Sequence, residues 1–277
     1  MSNNLPIEKK ATVVSLLCEG NSIRSIERIT SIHRDTIMRL GVRVGQGCKT
    51  LLSGMMRGLT CDDIQVDELW GFIGAKKKTV DRNNLNKDFG DVWVWSAIDA
   101  NTKLVPCYSI GNRDLMQAMV FMEDLASRLQ KRPQISSDAL RAYKEAIENA
   151  FGSEVDYGTV IKTYSHTDLE ESRRYSPPDC LQIKKSIMQG NPDIKRISTS
   201  YIEKQNHTTR MHCRRLSRLT NAFSKKRENF DAAVSLHYAY YNLCKRHQTI
   251  RCTPAMEAGV QKSQWSVIDL VEATDSN

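Results

Sequence analysis

One strand-like stretch, residues 64–75, constrains this chain more than any other; it reads Ile-Gln-Val-Asp-Glu-Leu-Trp-Gly-Phe-Ile-Gly-Ala. Its β-branched and aromatic residues predict a strand, and Asp67 interrupts the apolar pattern. Side chains alternate along a strand, so Asp67 and Glu68 are expected to point to opposite faces. A carboxylate on a mostly apolar strand is costly unless it is paired or binds a cation. Asp67 is therefore either an edge-strand acid facing water or an acid with a partner elsewhere.

The first 43 residues predict three short helices. Apolar residues recur at helical spacing in residues 7–18, and Gly20 indicates where that helix ends. Ser22 can cap a second helix that carries Ile23, Ile26 and Ile29 inward, and Ser31 can cap a third. This order is typical of a helix-turn-helix, whose last helix enters the major groove; the alternative is a small helical bundle that does not touch DNA. The candidate DNA contacts on the third helix are His33, Arg34, Thr36 and Arg39.

Glycine and serine become frequent after this helical region, which predicts a connector that can include a short helix at residues 49–57. We place the helix-turn-helix domain in residues 1–45 and a linker in residues 46–61. A central domain is expected in residues 62–225, followed by a helical extension and tail in residues 226–277.

The order of predicted elements in residues 62–164 indicates the fold of the central domain. Strands are expected at 64–75, 92–99, 104–110, 134–137 and 155–164, with helices at 112–130 and 139–151, a hairpin loop at 76–91, and a long loop or insertion at 165–198. Three strands, helix, strand, helix, strand is the order of a ribonuclease H-like α/β domain, a mixed sheet flanked by helices. In that arrangement an acid in the first strand lies near an acid just after the fourth, and Asp67 and Asp138 hold those places. Asp138 can also be a helix N-cap, and the two interpretations do not exclude each other.

Residues 204–227, here called the basic segment, carry the second informative pattern. Glu203 stands at its head, and a helix through residues 199–224 would place Glu203, Arg210 and Arg214 on one face with Asn206 or His207. The segment contains no acid and eight basic residues, as many as the net charge of +8: Lys204, Arg210, Arg214, Arg215, Arg218, Lys225, Lys226 and Arg227. A basic face is often only solvated, but an isolated carboxylate at its head suits a cation site beside a phosphate track.

Composition and cysteine usage indicate the class of protein and the compartment in which it works. The chain is 40% hydrophobic and 26% charged, which is typical of a globular protein. No apolar run approaches the roughly 18 residues of a spanning helix, so no membrane association is expected. The eight cysteines form no CxxC pair, which favours a reduced, cytoplasmic setting. Cys244, His247 and Cys252 could be imagined as zinc ligands, but their spacing is irregular.

With Asp67, Asp138 and Glu203 in hand, the chain resembles the DDE transposases of insertion sequences, and most closely the IS-one family. The motifs that carry the resemblance are Val66-Asp67-Glu68-Leu69-Trp70-Gly71-Phe72-Ile73-Gly74, Ser137-Asp138, and Tyr201-Ile202-Glu203-Lys204-Gln205-Asn206. Relatives often carry a cysteine zinc motif ahead of the helix-turn-helix, and this chain departs from them in having none.

The resemblance implies a two-metal phosphodiester transfer on DNA. Two Mg²⁺ ions, for which Mn²⁺ substitutes, would be held by Asp67, Asp138 and Glu203, with Asp67 bridging. Asn206, His207 and Arg210 would position DNA phosphates, and Lys204, Arg214, Arg215 and Arg218 would extend that track. The expected partners are transposon ends, target DNA and further copies of the chain assembled on DNA in the bacterial nucleoid. The alternatives are an inactive DNA-binding regulator and a nuclease or resolvase of the same fold.

Overall fold

A computed structural model describes residues 5–86, 88–153, 155–165 and 179–275. The helices are α1 Ile7–Cys18, α2 Ile23–Thr30, α3 Arg34–Met55, α4 Lys77–Asn83, α5 Leu115–Arg128, α6 Ala142–Phe151, α7 Ser200–His212, α8 Arg227–Ala239, α9 Pro254–Glu257 and α10 Val267–Thr274. The strands are β1 Asp63–Ile73, β2 Gly90–Asp99, β3 Tyr108–Gly111, β4 Gln134–Ser137, β5 Tyr157–Tyr164 and β6 Cys180–Gln189. A short 3₁₀ helix follows α7 and a π-helical turn follows α8.

The six strands form one mixed sheet in the order β3-β2-β1-β4-β5-β6. β1 is central, antiparallel to β2 and parallel to β4, and β4 is parallel to β5. Helices cover both faces of the sheet, so the predicted α/β class is confirmed, and the arrangement is compatible with a ribonuclease H-like fold.

The two faces of the sheet receive different helices. On one face, the buried ring of Trp95 packs against Phe121 of α5 and Tyr143 of α6. On the other face, Gln65 of β1 accepts hydrogen bonds from the first N–H groups of α7. α8 also lies on this second face, where a Cβ at Gly71 would come within 3.3 Å of the Phe230 ring of α8 and within 2.9 Å of a Leu216 side-chain atom. The lack of a side chain at Gly71 makes room for this close approach.

The N-terminal helices are packed into the rest of the molecule. α3 contacts α8 and α10, and α1 contacts α10, in a core continuous with that of the sheet. The first part of the predicted connector, residues 46–55, continues α3 and is not a separate short helix. Neither α3 nor any other helix in the described ranges is long and apolar enough to cross a membrane.

Other local predictions need correction. Ser31 ends α2 in a left-handed conformation, and His33 rather than Ser31 caps α3. Ile29 is exposed, so only part of the predicted apolar face of α2 is buried. The expected hairpin loop at 76–91 contains α4, and the expected long loop at 165–198 contains β6; residues 166–178 lie outside the described residues.

Candidate metal centre

Three carboxylates meet where β4 ends beside β1. Asp67, Glu68 and Asp138 each offer an oxygen within 4.8 Å of the others, and we call this group the carboxylate cluster. β4 pairs with β1 only from Asp63 to Gln65, so the edge of β1 beyond that point is open and Asp138 turns into it. The predicted proximity of Asp67 and Asp138 is confirmed.

The Asp67 carboxylate is largely buried, and two hydrogen bonds fix its position. Burial, together with the smaller effects of the nearby charges of Asp138 and Glu203, raises the pKa of its carboxyl group to about 6. Two hydrogen bonds oppose this rise: the Glu68 N–H donates to Oδ1 and the Asn206 side-chain amide donates to Oδ2, both at 2.8 Å. Asn206, predicted to contact DNA, therefore orients Asp67 from α7.

Glu68 is the member of the carboxylate cluster that sequence reasoning missed. Its side chain is buried, and burial followed by the charges of Asp138 and Asp67 raises its pKa to about 7. Arg113 donates to Glu68 Oε2 at 3.0 Å and approaches Asp138 to 4.0 Å. Strand alternation predicts opposite faces for Asp67 and Glu68, but at the open edge of β1 both carboxylates reach the same space. The adjacent acids in the sequence were the only available signal.

Asp138 lies in a turn and does not cap α6. Its Oδ1 accepts a hydrogen bond from the Leu140 N–H at 2.9 Å, while the residue at the N-cap of α6 is Arg141. The N-cap interpretation is therefore wrong. The bond fixes one oxygen of Asp138 and leaves the other oriented toward Arg113.

Glu203 stands beside the carboxylate cluster but is bound to other groups. The Lys162 ammonium contacts both of its carboxylate oxygens, at 2.6 and 2.5 Å, and the Thr199 hydroxyl donates to Oε1 at 2.6 Å. Its charge still contributes to the raised pKa of Asp67. The three predicted acids thus share a neighbourhood, with Glu203 already neutralised by a lysine that sequence reasoning did not identify.

The basic segment does not form one helical face. α7 ends at His212, so Arg214 is not in line with Glu203 and Arg210. Arg210 donates to the carbonyls of Leu216 and Trp70 at 2.9 and 3.1 Å, and Arg215 donates to a carbonyl in the same segment. Both guanidinium groups are therefore at least partly engaged within the chain. Lys204, His207, Arg214 and Arg218 are exposed.

Two further basic surfaces lie toward the N-terminal helices. His33, Arg34, Thr36 and Arg39, the predicted groove contacts, are all exposed around the start of α3. Nearby, a cavity of about 560 Å³ is lined by residues of the N-terminal helices, of α8 and of the segment between α7 and α8. Among the described residues, this lining includes Arg24, Arg214 and Arg215 but no carboxylate.

The donor set of the carboxylate cluster fits a hard divalent cation. All three candidate ligands supply oxygen atoms, which Mg²⁺ and Mn²⁺ prefer. Zn²⁺ more often takes sulfur and nitrogen ligands. Burial and mutual repulsion raise the pKa values of Asp67 and Glu68, and a bound cation would relieve both costs.

No protein-family model matches the chain, and no curated protein matches it at a significant level.

Proposed function

We propose that the chain is a DNA transposase that binds transposon ends, cleaves DNA strands and joins them to target DNA. The observation that carries the proposal is the carboxylate cluster at the open edge of β1, in a mixed sheet compatible with a ribonuclease H-like fold. The sequence resemblance to DDE transposases supports the same assignment. DNA strands and further copies of this chain are the proposed partners, and the cytoplasmic nucleoid is the proposed compartment.

In this proposal each residue of the site has a distinct role. Asp67, Glu68 and Asp138 would hold the cation, and Glu203 would join them once Lys162 is drawn away. Bound Mg²⁺ or Mn²⁺ would supply charge stabilisation for an in-line displacement at phosphorus. Asn206 keeps Asp67 oriented, and Arg113 offsets part of the negative charge between Glu68 and Asp138. Water as the nucleophile gives a nick, and a DNA 3′-hydroxyl gives strand transfer.

The test is a cleavage assay with the full chain and a plasmid that carries the gene and its flanking DNA. We expect Mg²⁺-dependent or Mn²⁺-dependent nicking by the wild type and none by Asp138→Asn. The matched control is Glu228→Gln, an exposed acid at the start of α8, which should nick at the wild-type rate. Nicking by Asp138→Asn at the wild-type rate would contradict the site assignment. Labelled ends found joined to new DNA would separate a transposase from a nuclease.

A second candidate is a DNA-binding regulator without strand cleavage. The observation that favours it is the contact of Lys162 with both oxygens of Glu203, which leaves that acid neutralised. The two candidates differ in the behaviour of Lys162→Ala. A transposase should retain nicking or gain it when Glu203 is released, whereas a regulator should bind DNA and never nick it in any of these variants.

A further inference from the structure

Four aromatic side chains form a partly exposed strip on β1, β2 and the segment before α8. The strip consists of Trp70, Phe72, Trp93 and Phe223, and each of the four residues is partly exposed. Trp70 lies directly opposite Trp93 across the β1–β2 pair. The ring centroids of Trp70 and Phe72 are 5.6 Å apart, and those of Phe72 and Phe223 are 4.9 Å apart. We call these four residues the aromatic strip.

The exposure of the aromatic strip differs from that of Trp95, a core aromatic residue on β2. Trp95, two residues beyond Trp93, has no exposed surface and packs against two rings from α5 and α6. Packing therefore accounts for Trp95 completely. It does not account for Trp70, which keeps part of its surface in water although large apolar rings gain most from burial. Trp93 packs against the core and is also partly exposed.

Cations lie over the two tryptophans of the strip. The Arg113 guanidinium carbon is 4.9 Å from the centroid of the Trp93 ring, and the Lys76 ammonium is 5.6 Å from that of the Trp70 ring. Arg113 also binds Glu68 and approaches Asp138. The aromatic strip therefore begins at the carboxylate cluster and runs away from it along β1.

Three consecutive lysines border the strip. Lys76, Lys77 and Lys78 are exposed, and none of their ammonium groups forms an ion pair with an acid in the part of the chain that the structure describes. Ring faces supplemented by free cations are the combination that binds single-stranded nucleic acid, where bases stack on the rings and phosphates meet the lysines. Bases inside an intact duplex are stacked on each other and cannot reach such a surface.

We infer that the aromatic strip binds unpaired nucleotides of a DNA strand whose backbone enters the carboxylate cluster. The inference rests on the proposed function, because that function makes DNA the substrate, and it adds that nucleotides beside the reacting phosphate are unstacked. A second copy of this chain is the less favourable occupant of the strip. It would bring its own lysines against Lys76, Lys77 and Lys78, and like charges across an interface are costly.

The test compares the binding of single-stranded and duplex DNA by fluorescence anisotropy. The probes are an oligothymidine of about 20 nucleotides, longer than an ordinary single-strand site, and a duplex of the same length. The variants of the full chain are Trp70→Leu, which removes the ring and keeps an apolar side chain, and Trp70→Phe, which keeps a smaller ring. The matched control is Tyr164→Leu, because Tyr164 is an exposed aromatic on β5, separated from β2 by β1 and β4.

We expect Trp70→Leu to weaken oligothymidine binding by about tenfold, the effect of losing one stacked base. Its duplex affinity should change little, Trp70→Phe should keep most of the single-strand affinity, and Tyr164→Leu should behave as the wild type. Circular dichroism of each variant checks that it is folded. If Trp70→Leu does not fold, Phe72→Leu takes its place in the same comparison.

Equal oligothymidine affinity of folded Trp70→Leu and wild type overturns the inference. The proposed function survives that result if wild type and Trp70→Leu both bind duplex DNA and nick it, and if Asp138→Asn abolishes the nicking. Absence of binding to either DNA by the wild type overturns both proposals together. Loss of self-association in Trp70→Leu by sedimentation, with unchanged oligothymidine binding, assigns the strip to a second copy and also overturns the inference.

Discussion

The carboxylate cluster and the basic segment both concentrate charge of one sign, but they treat that charge differently. In the cluster, Asp67 and Glu68 are buried close to Asp138, and their pKa values are raised because the chain only partly compensates them. In the basic segment, burial lowers the pKa of Arg210 to about 10 and also lowers that of Arg215, but both guanidinium groups donate hydrogen bonds to backbone carbonyls. A concentration of like charge indicates a binding site where groups of the chain balance only part of it. Arg113 is shared between Glu68 and Asp138 and offsets only part of the negative charge of the cluster. In the inner part of the basic segment, the guanidinium groups are already bound to the backbone.

The largest expected effect concerns His237, which is buried on α8 beside the basic segment. Burial, followed by the charges of His212 and Lys245, lowers the pKa of His237 to about 3. The folded state therefore takes up the proton only below the range in which the unfolded chain does, so stability is lost as the pH falls from about 6.5 toward 3. Between pH 7 and 4 the free energy of unfolding should fall by about 3 kcal/mol from this group alone.

Urea unfolding across that pH range, compared with His237→Gln, isolates the His237 contribution. The variant keeps a polar side chain near the Thr209 hydroxyl, which the imidazole contacts at 3.0 Å, but cannot titrate. The two acids of the cluster act in the opposite direction, so only the difference between wild type and variant is informative. A difference that does not change with pH would show that His237 titrates normally.

The next effect tests whether Arg210 stabilises the fold. Its two hydrogen bonds to carbonyls join α7 to β1 and to the turn after α7. Arg210→Ala should lower the free energy of unfolding by about 2 kcal/mol, because two partly buried carbonyls lose a charged donor. Arg218→Ala is the matched control, since this exposed side chain should change stability by less than about 0.5 kcal/mol. If the two variants are equally stable, the contrast drawn between the two regions fails.

The smallest effect has the opposite sign and belongs to the carboxylate cluster. With metal removed by a chelator at pH 7, Asp67→Asn should raise the free energy of unfolding by about 1 to 2 kcal/mol. The pKa of Asp67 is raised to about 6, so its charged form destabilises the folded state at neutral pH. An asparagine can keep the bond from the Glu68 N–H.

Glu203→Gln provides the matched comparison for Asp67→Asn. Glu203 is paired with Lys162 and Thr199, so loss of its charge should lower stability slightly. Thermal unfolding of both variants in chelator checks the two signs. A stabilising Glu203→Gln together with a destabilising Asp67→Asn would reverse the assignment of paired and unpaired acids.

Local sequence patterns were sufficient to predict the positions of most strands of the sheet and the proximity of two acids, Asp67 and Asp138. β1, β2, β4 and α5 have strong periodicity and clear turn signals, and their predicted positions agree closely with the structure. The order of these elements then brought Asp67 and Asp138 together. Each of these predictions depends on residues that are close in sequence or on a chain order that few folds share.

The remaining features depend on contacts between distant residues. Glu68 joins the cluster because β4 stops pairing early, which no pattern in β1 reveals. Nearly every residue of β6 is exposed, so this strand lacks the alternation that marks a half-buried strand. The end of α7 carries no glycine or proline signal, and Cys213 follows it. The inward direction of Arg210 depends on a carbonyl of Trp70, which lies far away in the sequence.

The length of α3 has a consequence for distances along DNA. α3 has 22 residues, so at about 1.5 Å per residue its two ends lie about 33 Å apart. This equals about ten base pairs at about 3.4 Å each, close to one turn of the double helix. A continuous helix joins the exposed groups at the start of α3 to the chain that leads into β1. No flexible linker lies within this helix. If the start of α3 reads bases, the offset between the recognised sequence and the reacting phosphate is set by the fold and is the same on every DNA molecule.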